Sequence, residues 1–161
     1  LAGSGRRTFV FVLGNHELWN FPGLSVDEIV DKYRTVLKEN GMYLLHNDLF
    51  YRNESDDMGI IPYDELIQSD NPAILEKLRC TRLVILGGLG FSGYNEEFNA
   101  NDGVYRATVD RNTEIQESKK FEQLYDKLTD VLAKKNTVIF THTPKKDWCV
   151  DAKCHDNFGI W

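Results

Sequence analysis

The chain predicts an α/β fold, because buried β-branched strands alternate along it with amphipathic helices. Two of its three strongest strands also end within three residues of a histidine, where α/β proteins gather their ligand chemistry. Residues 8–13 (Thr-Phe-Val-Phe-Val-Leu) form an unbroken apolar run that stops at Gly14, the pattern of a strand buried on both faces and followed by a turn. Ser25 and Glu28 have capping-box spacing, and the helix they open carries Val26, Ile29, Val30, Tyr33 and Leu37 on one face before Asn40-Gly41 stops it. Residues 42–45 and 49–52 suggest a hairpin about Asn47-Asp48, and the polar stretch 53–59 suggests a loop. Asn71-Pro72 starts a short helix that runs through Leu78. Residues 82–86 are a second buried strand leading into Gly87-Gly88-Leu89-Gly90, and 91–103 lack any helical period. Phe121, Leu124, Tyr125, Leu128, Val131 and Leu132 stripe the longest helix, over 110–135; residues 137–140 are the third buried strand, ending at Thr141-His142-Thr143-Pro144.

Composition narrows the classes. With 161 residues the chain has room for one domain, 1–161, and 42% hydrophobic with 27% charged residues is ordinary for a globular protein. No apolar run approaches the roughly 18 residues of a membrane span. Lys+Arg 19 against Asp+Glu 25, a net charge of −6, argues against a general grip on nucleic acid backbones. Three cysteines make a poor disulfide framework, so a reduced, cytoplasmic setting is expected. The chain opens at Leu1 rather than Met and closes on the apolar Phe158-Gly159-Ile160-Trp161, so both ends read as cuts through a larger domain. Such ends would leave apolar sheet edges open to self-association.

Gly14-Asn15-His16-Glu17 carries the chemistry. A glycine turn at a strand end pushes an amide oxygen and an imidazole out of the sheet edge, where the oxygen can complete a hard metal's coordination and the imidazole can donate a proton near neutral pH. His142, at the end of the third strand, is a second imidazole of the kind that ligates metals, and a strand end would hold it rigidly.

A buried strand ending in Gly14-Asn15-His16-Glu17, with a later strand ending in Thr141-His142, resembles the calcineurin-like metallophosphoesterases. The interval from Gly87 to Asn95 is also similar to a stretch of bacterial members. The resemblance implies a four-layer α-β-β-α sandwich with a divalent metal pair (Mn, Fe, Zn or Mg) over the sheet edges and a phosphoester substrate. By position it implies that Asn15 and His142 are metal ligands, that His16 protonates the leaving oxygen, and that Glu17 supports them. The family pattern also includes Asp-x-His, Gly-Asp-x-x-Asp and Gly-His-x-His, none of which occurs in this chain. Hydrolysis by this route needs two cations roughly 3.5–4 Å apart and an activated hydroxide. The chain is therefore expected to be the middle of such an enzyme and to be inactive by itself.

Three other readings stand beside this one. Gly88, Gly90 and Gly93 match the dinucleotide-binding fingerprint after a strand, although the stretch that follows is too short and Asn-rich for the required helix. Cys149, Cys154 and His155, with His142, have the residue types of a zinc site. The chain could also be a non-catalytic interaction module on the same scaffold.

Overall fold

In a computed structural model the structure describes residues 7–68, 72–90, 111–132 and 136–143. Within them the order is β1 (Val10–Phe11), α1 (Asn15–Trp19), α2 (Val26–Glu39), β2 (Tyr43–Leu44), β3 (Asp48–Asn53), β4 (Met58–Ile61), α3 (Tyr63–Gln68), α4 (Pro72–Arg79), β5 (Thr81–Gly90), α5 (Arg111–Leu132) and β6 (Thr137–Thr143). The protein is mixed α/β with mixed sheets. β1 and β2 pair in parallel, and a four-stranded sheet runs β4-β3-β5-β6, with β3 antiparallel to both neighbours and β5 parallel to β6.

Local chemistry sets the helix limits. Ser25 Oγ accepts from the Glu28 amide at 3.3 Å while the Glu28 carboxylate accepts from the Ser25 amide at 2.8 Å, so α2 opens on the expected capping box. It ends where Gly41 takes φ of 70°. Two apolar clusters follow from the faces so presented. α3, α4 and α5 bury Leu66, Ile74, Leu78, Phe121, Leu124 and Leu128 against Leu49, Ile61, Val84 and Leu86 of the larger sheet. α1 and α2 bury Leu18, Val26, Ile29 and Val30 with Leu13, Leu44 and Leu89. The Tyr43 ring of β2 meets the Phe50 ring of β3 at 5.1 Å, linking the smaller sheet to the larger.

Several expectations are corrected. β2 and β3 do not form a hairpin with each other; β2 pairs with β1, and the hairpin is β3–β4. Its turn lies in the presumed loop 53–59, where Asn53 Oδ1 accepts from the amides of Ser55 (3.0 Å) and Asp57 (2.8 Å). The first and third strands are not buried on both faces. Each lies at the border of its sheet among the described residues, which leaves Phe9 (48%), Phe11 (38%), Val138 (47%) and Phe140 (40%) exposed. β5 and β6 both run three or four residues beyond the expected strands, to Gly90 and Thr143. α3 was not anticipated. The expectations for 1–6, 69–71, 91–110, 133–135 and 144–161 lie outside the described residues, including those for the Asn71 cap, Gly93, Cys149, Cys154 and His155. No helix among the described residues is long and apolar enough to cross a membrane.

Candidate functional site

The site builds from the backbone of β6. At Gly90 the chain takes φ of +95°, and a Cβ there would collide with the Thr143 carbonyl and lie 2.8 Å from Thr141 Cβ. Only glycine lets β5 come this close to β6. Thr143 is fully buried and its hydroxyl donates to the Leu89 carbonyl at 2.6 Å, which fixes the last residues of β6. His142 is therefore a strand residue, held between the paired Thr141 and Thr143, rather than part of a turn after the strand.

The Gly14-Asn15-His16-Glu17 segment comes to the same place. Gly14 precedes α1, and its amide donates to Glu17 Oε2 at 2.7 Å, which folds the carboxylate back over the start of the helix. A Cβ on Gly14 would lie 3.1 Å from Glu17 Oε2 and 3.3 Å from both Cε1 and Nδ1 of His142. The early segment and the late strand thus meet at Gly14, where a side chain fits only if Glu17 or His142 gives way by a few tenths of an ångström. Asn15 is half-buried, and His16 is exposed with its ring 4.9 Å from that of Trp19. Partial burial holds the His142 imidazole below its usual pKa; Glu17 pulls it upward and His16 adds to the depression. His142 is thereby favoured in the neutral form that can ligate a cation.

An amide oxygen and an imidazole are suitable donors for a divalent metal, but two of them are too few to hold a pair of cations. Among the described residues no group of three or more His, Cys, Asp or Glu side chains could hold a metal ion. The residues expected to follow His142 in the zinc reading lie outside the described residues.

A second polar cluster escaped the sequence reading. His46, Asn47 and Asp48 join β2 to β3 and are buried at 8%, 3% and 3% exposure, together with Glu117 of α5 at 5%. Glu117 Oε2 accepts from Asn47 Nδ2 at 3.0 Å and lies 2.9 Å from His46 Nε2, while Oε1 accepts from Lys120 Nζ at 2.6 Å. Burial pushes the Glu117 carboxyl upward, but the His46 and Lys120 contacts prevail and hold it below its usual range. Asp48 accepts from Arg34 at 2.8 Å and from the His46 amide at 3.1 Å, yet burial raises its pKa. Asn47 sits at φ of 57°, a left-handed conformation that Asn tolerates, and it packs against Gly88, where a Cβ would lie 2.8 Å from Asn47 Oδ1. The one signal in the sequence was Glu117 itself, an acid in register with the apolar stripe of Phe121, Leu124 and Leu128.

No protein family, curated protein or solved structure matches this chain.

Proposed function

We propose that the chain is the central portion of a calcineurin-like metallophosphoesterase, a cytoplasmic hydrolase of phosphoester bonds. The observation that carries this reading is the contact of His142 with Gly14, which unites two motifs from opposite ends of the chain at one edge. The two helix-backed apolar clusters, with Tyr43 against Phe50 between the sheets, support an α-β-β-α layering in this reading.

In this reading Asn15 and His142 would be among the ligands of a divalent metal, which would supply charge relief on phosphoryl oxygens and an acidified water. His16, open to solvent, gives its proton to the departing oxygen. Glu17 secures the turn that presents both, through the Gly14 amide. The donors among the described residues do not suffice for a metal pair, and in this reading the remaining ligands belong to the family motifs that the sequence lacks. The dinucleotide alternative is less well supported, since Gly88 and Gly90 are strand residues of β5 packed against Asn47 and β6 rather than a turn opening a helix. Metal analysis by mass spectrometry with an aryl phosphate assay tests the proposal. The 161-residue chain should neither retain two metals nor turn over substrate, whereas a longer reading frame carrying the three further motifs should do both and lose turnover on His16→Ala. A longer frame without those motifs, or His16-dependent turnover by the chain alone, would overturn it.

A further inference from the structure

A cavity of about 1110 Å³ is bordered by α2, β2, β4, α3 and α5, and neither Gly14 nor His142 lines it. Its volume far exceeds the roughly 30 Å³ share of one water and lies at the upper end of sites for organic ligands. Along α2 its wall is one stripe of Asp27, Asp31, Arg34 and Lys38, so the charge changes sign from the start of the helix to its end. With a rise of about 1.5 Å per residue, Asp27 and Lys38 stand about 16 Å apart along the axis.

Residues from other elements repeat that order. Asp27 acts electrostatically on Lys120, and Asp64 of α3 acts with Lys120 and Glu117 on Tyr63, so both acids belong to one end. There Asp27, Asp64 and Glu117 outnumber the cations even when His46 is counted as charged beside Lys120. At the other end, carrying the parallel register of Val10 with Tyr43 back along both strands brings Arg7 level with Asn40, beside the last turn of α2. Arg7 and Lys38 both line the cavity and form no ion pair with another described residue. Arg34, between the two ends, is held by Asp31 and Asp48. The order on α2 by itself also suits the helix dipole, but Arg7 belongs to no helix. Met58 and Ile60 of β4 add an apolar wall.

We propose that this cavity binds a short peptide as a zwitterion, its N-terminal ammonium against Asp27 and Asp64 and its C-terminal carboxylate against Arg7 and Lys38. An extended chain rises about 3.3 Å per residue, so about five residues bridge the two ends. Apolar side chains of the peptide lie against Met58 and Ile60. A ligand with only one charge would engage one end and leave the other unmatched. The site does not depend on the phosphoesterase reading.

The test titrates the full chain by calorimetry with Ala-Leu-Ala-Leu-Ala, with its N-acetylated and C-amidated forms, and with Ala-Leu. The free pentapeptide should bind saturably at millimolar concentrations, and each cap should weaken it about threefold. The dipeptide, too short to reach both ends, should bind more weakly than the pentapeptide. Asp27→Asn with Asp64→Asn should bind the free and acetylated peptides equally yet still discriminate against the amide. Arg7→Gln with Lys38→Gln should show the opposite pattern. All four positions are exposed, so the fold should survive, as circular dichroism checks. Absence of saturation, indifference to either cap, a dipeptide as tight as the pentapeptide, or variants that keep the wild-type preference at the end they alter would each overturn the proposal.

Discussion

Replacing Glu117 by Ala is the sharpest probe of how α5 is tied to the connection between β2 and β3. The carboxylate serves three donors, and the substitution leaves them without an acceptor. Lys120 is 38% exposed at its side chain and can turn to water, so its loss counts for under about 1 kcal/mol. His46 Nε2 and Asn47 Nδ2 cannot, because both residues are more than nine-tenths buried. Each stranded donor costs about 1–3 kcal/mol, so Glu117→Ala should destabilise the chain by about 4 kcal/mol. Glu117→Gln, which keeps one acceptor oxygen, should cost less than half of that. Urea denaturation followed by fluorescence measures both. The pH dependence adds a sign. Glu117 has a depressed pKa in the folded state, so its stabilisation is present above the ordinary 4.5 and is lost as pH falls through the lower folded value. Asp48 is shifted the other way, so the quantity to follow is the gap between wild type and Glu117→Gln, which should close in acid. A Glu117→Ala loss below about 1 kcal/mol would show that the cluster opens to water and that the burial argument is wrong.

Two further outcomes follow from the edge itself. Gly90→Ala must hold a side chain at φ of +95° against the Thr143 carbonyl, and should destabilise by about 3 kcal/mol in the same denaturation assay. Gly14→Ala places a methyl 3.1–3.3 Å from Glu17 and His142, so it should shift the His142 ring resonances with a stability loss of only about 1 kcal/mol. Unmoved His142 resonances would mean that the two motifs are farther apart than described.

How much was legible depends on the range of the interactions involved. The α2 capping box and the α5 stripe are local patterns, set within a few residues, and each is found close to where the sequence put it, whereas the expected glycine turn is instead extended backbone at Gly14 that caps the short helix α1. The convergence of Gly14 with His142 was an expectation of the family resemblance, not of periodicity, since spacing along the chain carries no information about which strand ends meet. The β3–β4 turn was misread because its polar residues satisfy one another through Asn53, and the four residues of β4, Met58–Ile61, are too few and lack the alternation that would betray a strand. The exposed Phe9 and Phe11 read as core because an apolar run looks the same whether or not a neighbouring strand covers it. The His46–Glu117 pair joins positions far apart in sequence, and nothing local marks His46 as more than a turn residue.

The parallel pairing of β5 with β6 has a kinetic consequence. His142 reaches its place only after the chain closes a circuit through all of residues 91–136, an entropic cost of about 3 kcal/mol that must be met before any contact at that edge forms. The β3–β4 hairpin needs no such excursion and can nucleate early. Folding should therefore complete the Gly14–His142 edge last, and partial unfolding should release it first.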